Sequence, residues 1–138
     1  MTRGELTPDR PARIFVYGTL MPGHDAWPVL EPWVVGAPRP DAVAGCLYDT
    51  GRGYPAATFT ADPGAAGSVV HGMGVVHGIV VTLDPSRSEA ALAALDRYEG
   101  SEYRRIPVRT EAGEECETFT WIATLTGCRP VPGGRFRG

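Results

Sequence analysis

Two short stretches of this sequence carry residues able to do chemistry. In Leu95-Asp96-Arg97-Tyr98-Glu99-Gly100 a carboxylate, Glu99, closes a helical pattern just before a glycine. The helix dipole at that end disfavours negative charge by about 0.3–1 kcal/mol, which raises a carboxylate pKa by well under one unit. A Glu at a helix end is ordinarily just solvated. Only burial would lift it far enough to accept and return a proton near neutrality. In Val16-Tyr17-Gly18-Thr19-Leu20 an extended run breaks at glycine. Such a break is commonly only a turn, but it also exposes consecutive backbone N–H groups, a nest for a carboxylate or phosphate. No Gly-Lys-Ser/Thr follows, so it is not a nucleotide P-loop.

Other chemistries find no support in the residue pattern. His24, His71 and His77 are scattered and show no metal-ligand spacing. Ser68 has no nucleophile elbow around it. Cys46, Cys116 and Cys128 form no C-x-x-C pair and no disulfide framework, which fits a reducing compartment. The residues therefore call for no metal and no organic cofactor. Trp27, Trp33 and Trp121 read as core or pocket walls rather than a base-stacking platform.

The elements that must position these residues follow from the apolar pattern. Arg13 to Tyr17 is β-branched and aromatic and reads as a strand ending at Gly18. Residues 21–40 hold Pro22, Gly23, Pro28, Pro32, Pro38 and Pro40, which break regular structure and leave room for one short helical turn around Ala26 to Leu30. Ala42–Tyr48 reads as a strand, and Tyr54–Phe59 as a short one whose Pro55 requires an edge or bulge. Val75–Leu83 is the strongest strand signal. A helix follows, with Asp84 or Ser86 as cap, Pro85 in its first turn, a Ser86-x-x-Glu89 capping box, and Gly100 as its stop. Tyr103–Thr110 and Cys116–Leu125 read as two strands joined by a turn at Ala112-Gly113. Many strands and one good helix predict an α+β domain, a mixed sheet curled toward a barrel to hide its edges.

The 138 residues suit one domain. The sequence reads as a flexible leader over 1–11, the domain over 12–128, and a solvated, flexible tail over 129–138 with Arg129, Arg135 and Arg137. A net charge of -3 gives no reason to expect nucleic acid or an anionic membrane as partner. No signal-like run opens the sequence and no stretch is apolar enough to span a bilayer, so the cytoplasm is the expected location.

In order and spacing, these segments resemble the γ-glutamylcyclotransferase-like, or AIG2-like, family. Phe15-Val16-Tyr17-Gly18-Thr19-Leu20 resembles its Y-G-[ST]-L motif. Gly45-Cys46-Leu47-Tyr48-Asp49 and Gly53-Tyr54-Pro55-Ala56 resemble its G-x-L-Y-D and G-Y-P-A stretches, and Val76-His77-Gly78 its V-x-G strand. Leu95-Asp96-x-Tyr98-Glu99-Gly100 with Tyr103-Arg104-Arg105 resembles its L-D-x-Y-E-G…Y-x-R block. The resemblance covers about residues 13 to 125. The sequence departs from it at Met21-Pro22-Gly23-His24, where many members carry a basic residue and later an Asn, and at Trp121, where tyrosine is common.

The resemblance implies a small mixed β-barrel with one main helix and flanking short helices. It implies an amide-cleaving cyclotransferase in which the α-amine of a γ-glutamyl group attacks its own γ-carbonyl, releasing 5-oxoproline and a free amine. Glu99 falls on the general acid/base. The backbone after Tyr17, at Gly18, Thr19 and Leu20, falls on the α-carboxylate site. Tyr103 lies where a tyrosine borders that site, and Trp121 is a candidate substrate contact. The chain's size resembles the compact branch that includes γ-glutamylamine cyclotransferases. The implied partner is a small γ-glutamyl molecule, with the protein a monomer or homodimer. A non-catalytic carboxylate binder, or another acid/base reaction in the same pocket, are the alternatives.

Overall fold

The first strand, β1 (Arg13–Val16), is apolar at successive positions because both of its faces are covered. In the computed structural model, which describes residues 12–59 and 74–136, β1 lies inside one mixed sheet. The sheet order is β3 (Pro55–Phe59), β2 (Val34–Asp49), β4 (Gly74–Leu83), β1, β6 (Glu115–Trp121), β5 (Tyr103–Arg109). β1 runs antiparallel to β4 and parallel to β6. The side chains alternate accordingly. Phe15 and Tyr17 join Val43, Leu47, Phe59, Val76 and Val80 inside the curl. Ile14 and Val16 face the other way, with Val81 and Leu83.

Two helices cover that second face. α1 (Trp27–Leu30) contributes Leu30, and α2 (Ser88–Glu99) contributes Ala91 and Leu95. The cap of this second helical segment comes from Asp84 alone. Its carboxylate accepts from the Ser86 N–H and hydroxyl, at the head of a 3-10 turn over Pro85–Arg87, so the expected Ser86–Glu89 box is not the device used. Gly100 ends α2 at φ +79°, a conformation that favours glycine.

Three expectations change. β2 starts at Val34, inside the proline-rich stretch. Its register with β4 shifts between Val35 and Arg39, and this bulge, with Gly36 at φ +74°, accommodates Pro38. β6 stops at Trp121, and the Ile122 N–H turns to the Glu102 carbonyl instead. The expected loose tail is held against the sheet. Among the described residues the pairing of β2 with β4 ends at Gly45 and Gly74. β7 (Arg129–Pro130) pairs with Tyr48 and Asp49, while Val131 and Phe136 pack on the inner cluster. The leader, His71 and Ser68 lie outside the described residues.

Among the described residues the curl does not close with a backbone ladder. Between β3 and the β5–β6 hairpin two side-chain hydroxyls reach across instead. Tyr103 donates to the Pro55 carbonyl at 2.6 Å, and the buried Thr120 donates to the Ala57 carbonyl at 3.3 Å.

Candidate active site

A cavity of about 620 Å³ opens at one end of this seam, within the range of about 300–1,000 Å³ usual for small-molecule sites. Its wall includes Tyr17, Gly18, Thr19, Leu20, Glu99 and Tyr103. The two stretches singled out by their chemistry, 80 residues apart, therefore share one cavity. β1 delivers the first and the C-terminus of α2 the second.

Past β1 the chain turns at Gly18, with the Met21 N–H bonded to the Gly18 carbonyl. The N–H groups of Gly18, Thr19 and Leu20 donate to no acceptor among the described residues. Glycine is required here by a close approach rather than by a positive φ. A Cβ on Gly18 would lie 2.7 Å from Cγ and 2.8 Å from Cδ of Pro55. The Leu20 side chain is buried in the helix-side cluster, and Leu20 also lines the cavity.

Glu99 is half-buried at the end of α2. Burial lifts its carboxyl from the ordinary 4.5 to about 7. None of the lining residues is Lys, Arg or His, so no cation in the wall offsets that shift. Tyr17 and Tyr103 stand near Glu99. Burial first, then Tyr103 and Glu99 beside Tyr17, and Glu99 and Tyr54 beside Tyr103, hold both phenols well above their usual range, so both are neutral. Both hydroxyls are already donated, Tyr17 to the Phe119 carbonyl and Tyr103 to the Pro55 carbonyl.

Trp121 is not part of the cavity wall. It is buried behind Tyr103, its ring edge-on at 5.2 Å and 81°, and its indole N–H is bonded to the Thr124 carbonyl. Arg104 and Arg105 do not line the cavity either. Arg105 is bound by Asp96 and Glu117. The wall also contains Asp25, Val29, Tyr54, Tyr98, Glu102 and Phe119, which the sequence did not single out. Glu102 is tied to Arg52 at 3.2 Å and to the Tyr54 hydroxyl at 3.4 Å. Tyr54 sits inside the Gly53-Tyr54-Pro55-Ala56 stretch and Glu102 one helical turn after Glu99, so their spacing was the available signal. Nothing local marks Asp25, which only the turn after Gly18 brings to the wall.

The arrangement can hold an anion on free N–H groups beside a carboxyl that exchanges a proton near neutral pH. Among the described residues no three His, Cys, Asp or Glu are grouped to hold a metal ion.

The family model described as gamma-glutamyl cyclotransferase, AIG2-like, matches residues 14–138. The chain belongs to this family. Solved structures agree on the gamma-glutamyl cyclotransferase-like fold. An uncharacterized protein, PH0828, from Pyrococcus horikoshii superposes with a TM-score of 0.65 at 21% identity, covering 90% of this chain and 88% of that one. A mouse AIG2-like protein gives 0.51 at 23% identity, covering 80% and 76%. The solution structure of ytfP from Escherichia coli gives 0.51 at 28% identity, covering 89% and 94%. No curated protein matches the chain. Among the described residues no helix is long and apolar enough to cross a membrane.

Proposed function

We propose that this member of the family releases 5-oxoproline and a free amine from a γ-glutamyl amine. One observation carries the reading: a carboxyl lifted to about 7 shares a cavity with the free N–H groups of the Gly18–Leu20 turn. The turn would take the α-carboxylate. That grip folds the γ-glutamyl chain so that its α-amine meets its own γ-carbonyl, and proximity supplies much of the rate. Glu99 accepts the proton as the amine nitrogen bonds to the γ-carbonyl carbon. The tetrahedral intermediate then collapses, the bond from carbon to the leaving nitrogen breaks, and Glu99 returns the proton to that nitrogen. With both nearby phenols donated elsewhere, a backbone N–H is the better candidate donor for the oxyanion.

The wall also bears on the leaving group. It holds Asp25, Glu99 and Glu102 and no cationic side chain. A leaving group with its own carboxylate, as in glutathione, finds no cationic side chain in the wall to pair with, which favours γ-glutamyl amines.

The test is to incubate the protein with a γ-glutamyl alkylamine, γ-glutamyl alanine and glutathione and to measure 5-oxoproline. The alkylamine is expected to lead by about ten-fold or more in kcat/KM, equivalent to about 1.4 kcal/mol. Glutathione as the best substrate would reject the substrate class and keep the reaction. Binding of 5-oxoproline without turnover of any substrate would mark a non-catalytic carboxylate binder. Activity is expected to survive prolonged chelation by EDTA, and loss restored by one particular metal would overturn the proton-transfer scheme.

A further inference from the structure

We propose that Tyr103 is a positioning residue that shapes the carboxylate-binding turn through Pro55, with Trp121 as its backstop, rather than a donor to substrate. This rests on the cyclotransferase reading of the cavity.

The contacts form a chain from the outside in. The Trp121 indole is pinned by its bond to the Thr124 carbonyl and stands edge-on against the Tyr103 ring. Tyr103 and Trp121 are register partners across the β5–β6 hairpin, so the pair is built into the sheet. The Tyr103 hydroxyl donates to the Pro55 carbonyl at 2.6 Å. Pro55 opens the edge strand β3, and its ring closes on Gly18 so tightly that a single added carbon would overlap it. Gly18 begins the turn that lines the cavity, with N–H groups that have no acceptor among the described residues.

Two features make this bond matter. It crosses the seam, where no backbone ladder among the described residues holds β3 to β5. It also engages the hydroxyl, so the same group is not available to donate to a bound molecule. Removing it frees the start of β3 to move off Gly18 and leaves the Pro55 carbonyl short of a partner. The turn then loses the wall that fixes its shape, while Glu99, carried by α2, keeps its place.

The experiment compares wild type, Tyr103→Phe, Pro55→Ala and the double variant. The readouts are KM and kcat with a γ-glutamyl alkylamine, the pH profile of kcat, and the affinity for 5-oxoproline by calorimetry, with thermal melting as the fold control. Tyr103→Phe is expected to raise KM and weaken 5-oxoproline binding about five- to ten-fold, the loss of one hydrogen bond. The kcat and its pH profile are expected to stay put. In the Pro55→Ala background the hydroxyl is expected to matter less, since its effect passes through that ring. If kcat bears the larger share of the loss, or if neither constant moves, the relay is overturned. If wild type binds 5-oxoproline but turns over nothing, the proposed reaction fails and calorimetry alone decides the relay. Failure of wild type to bind 5-oxoproline overturns both.

Discussion

The sheet is held together differently on its two sides. Along β2, β4 and β1 it is a ladder, paired from Val34 to Gly45 apart from the bulge between Val35 and Arg39, and from Arg13 to Val16. Between β3 and the β5–β6 hairpin it is a seam bridged by two hydroxyls, with the cavity at its end. A ladder sets strands about 4.8 Å apart and leaves no space for a ligand between them. A seam bridged by side chains leaves room, and its unpaired backbone groups are available to a ligand. The ladder should therefore answer for stability, and the seam for binding and turnover.

The largest effect expected is at the seam. Glu99→Gln should lower kcat by about 10²–10⁴-fold, with melting unimpaired. Single-turnover release of 5-oxoproline measures this, and near wild-type turnover would remove Glu99 from the mechanism. In wild type, kcat/KM should rise as pH passes up through about 7, as the carboxylate forms.

Next is the cost of that carboxyl to the fold. Its pKa is raised from 4.5 to about 7, so the folded state holds the proton more tightly than the unfolded chain. Stability contributed by this group is thus present below 4.5, declines as pH rises, and is gone above about 7. Urea midpoints at pH 8 should show Glu99→Gln more stable than wild type by on the order of 3 kcal/mol at most. The gap should close below pH 4.5. A gap that widens on acidification would mean that the carboxylate is stabilised, not strained, by its surroundings.

A matched pair of glycines sharpens the contrast. At Gly78, in the ladder, a Cβ would lie 2.3 Å from the Val16 carbonyl oxygen and 2.8 Å from the Phe15 ring. Gly78→Ala should cost about 1–3 kcal/mol of stability. Gly18→Ala meets only the Pro55 ring at the seam, and should weaken 5-oxoproline binding more than it lowers the melting temperature. Reversal of that ranking would dissolve the distinction. The smallest effect is expected at Thr120, where Thr120→Val removes one buried bridge and should cost about 0.5–1.5 kcal/mol in denaturant titrations.

Most of the architecture was legible because the strands and α2 carry strong apolar periods. The start of β2 was not. Prolines argue against a strand from local chemistry, and only the bulge opposite β4 makes room for Pro38. The tail was also illegible, since its glycines and arginines have no period. It is held by pairing with Tyr48 and Asp49 of β2, partners distant in sequence. In the site, Glu99 and the Gly18 turn were visible as residue types at a helix end and a strand end. The burial that gives Glu99 its chemistry was not, because it comes from walls distant in sequence. The same is true of Trp121, whose place behind Tyr103 depends on the hairpin register.

The position of β1 also has a consequence for how the molecule is made. Its neighbours arrive late in synthesis: Ile14 pairs with Val81 on one side and Glu117 on the other, and Thr118 donates to the Phe15 carbonyl from 103 residues away. During translation this apolar strand must wait, unpaired on both edges, while most of the chain is still unmade. Such long-range pairing slows folding and prolongs exposure to other chains. A nascent chain halted before β6 would present β1 with an open edge, the template on which strands of separate molecules join.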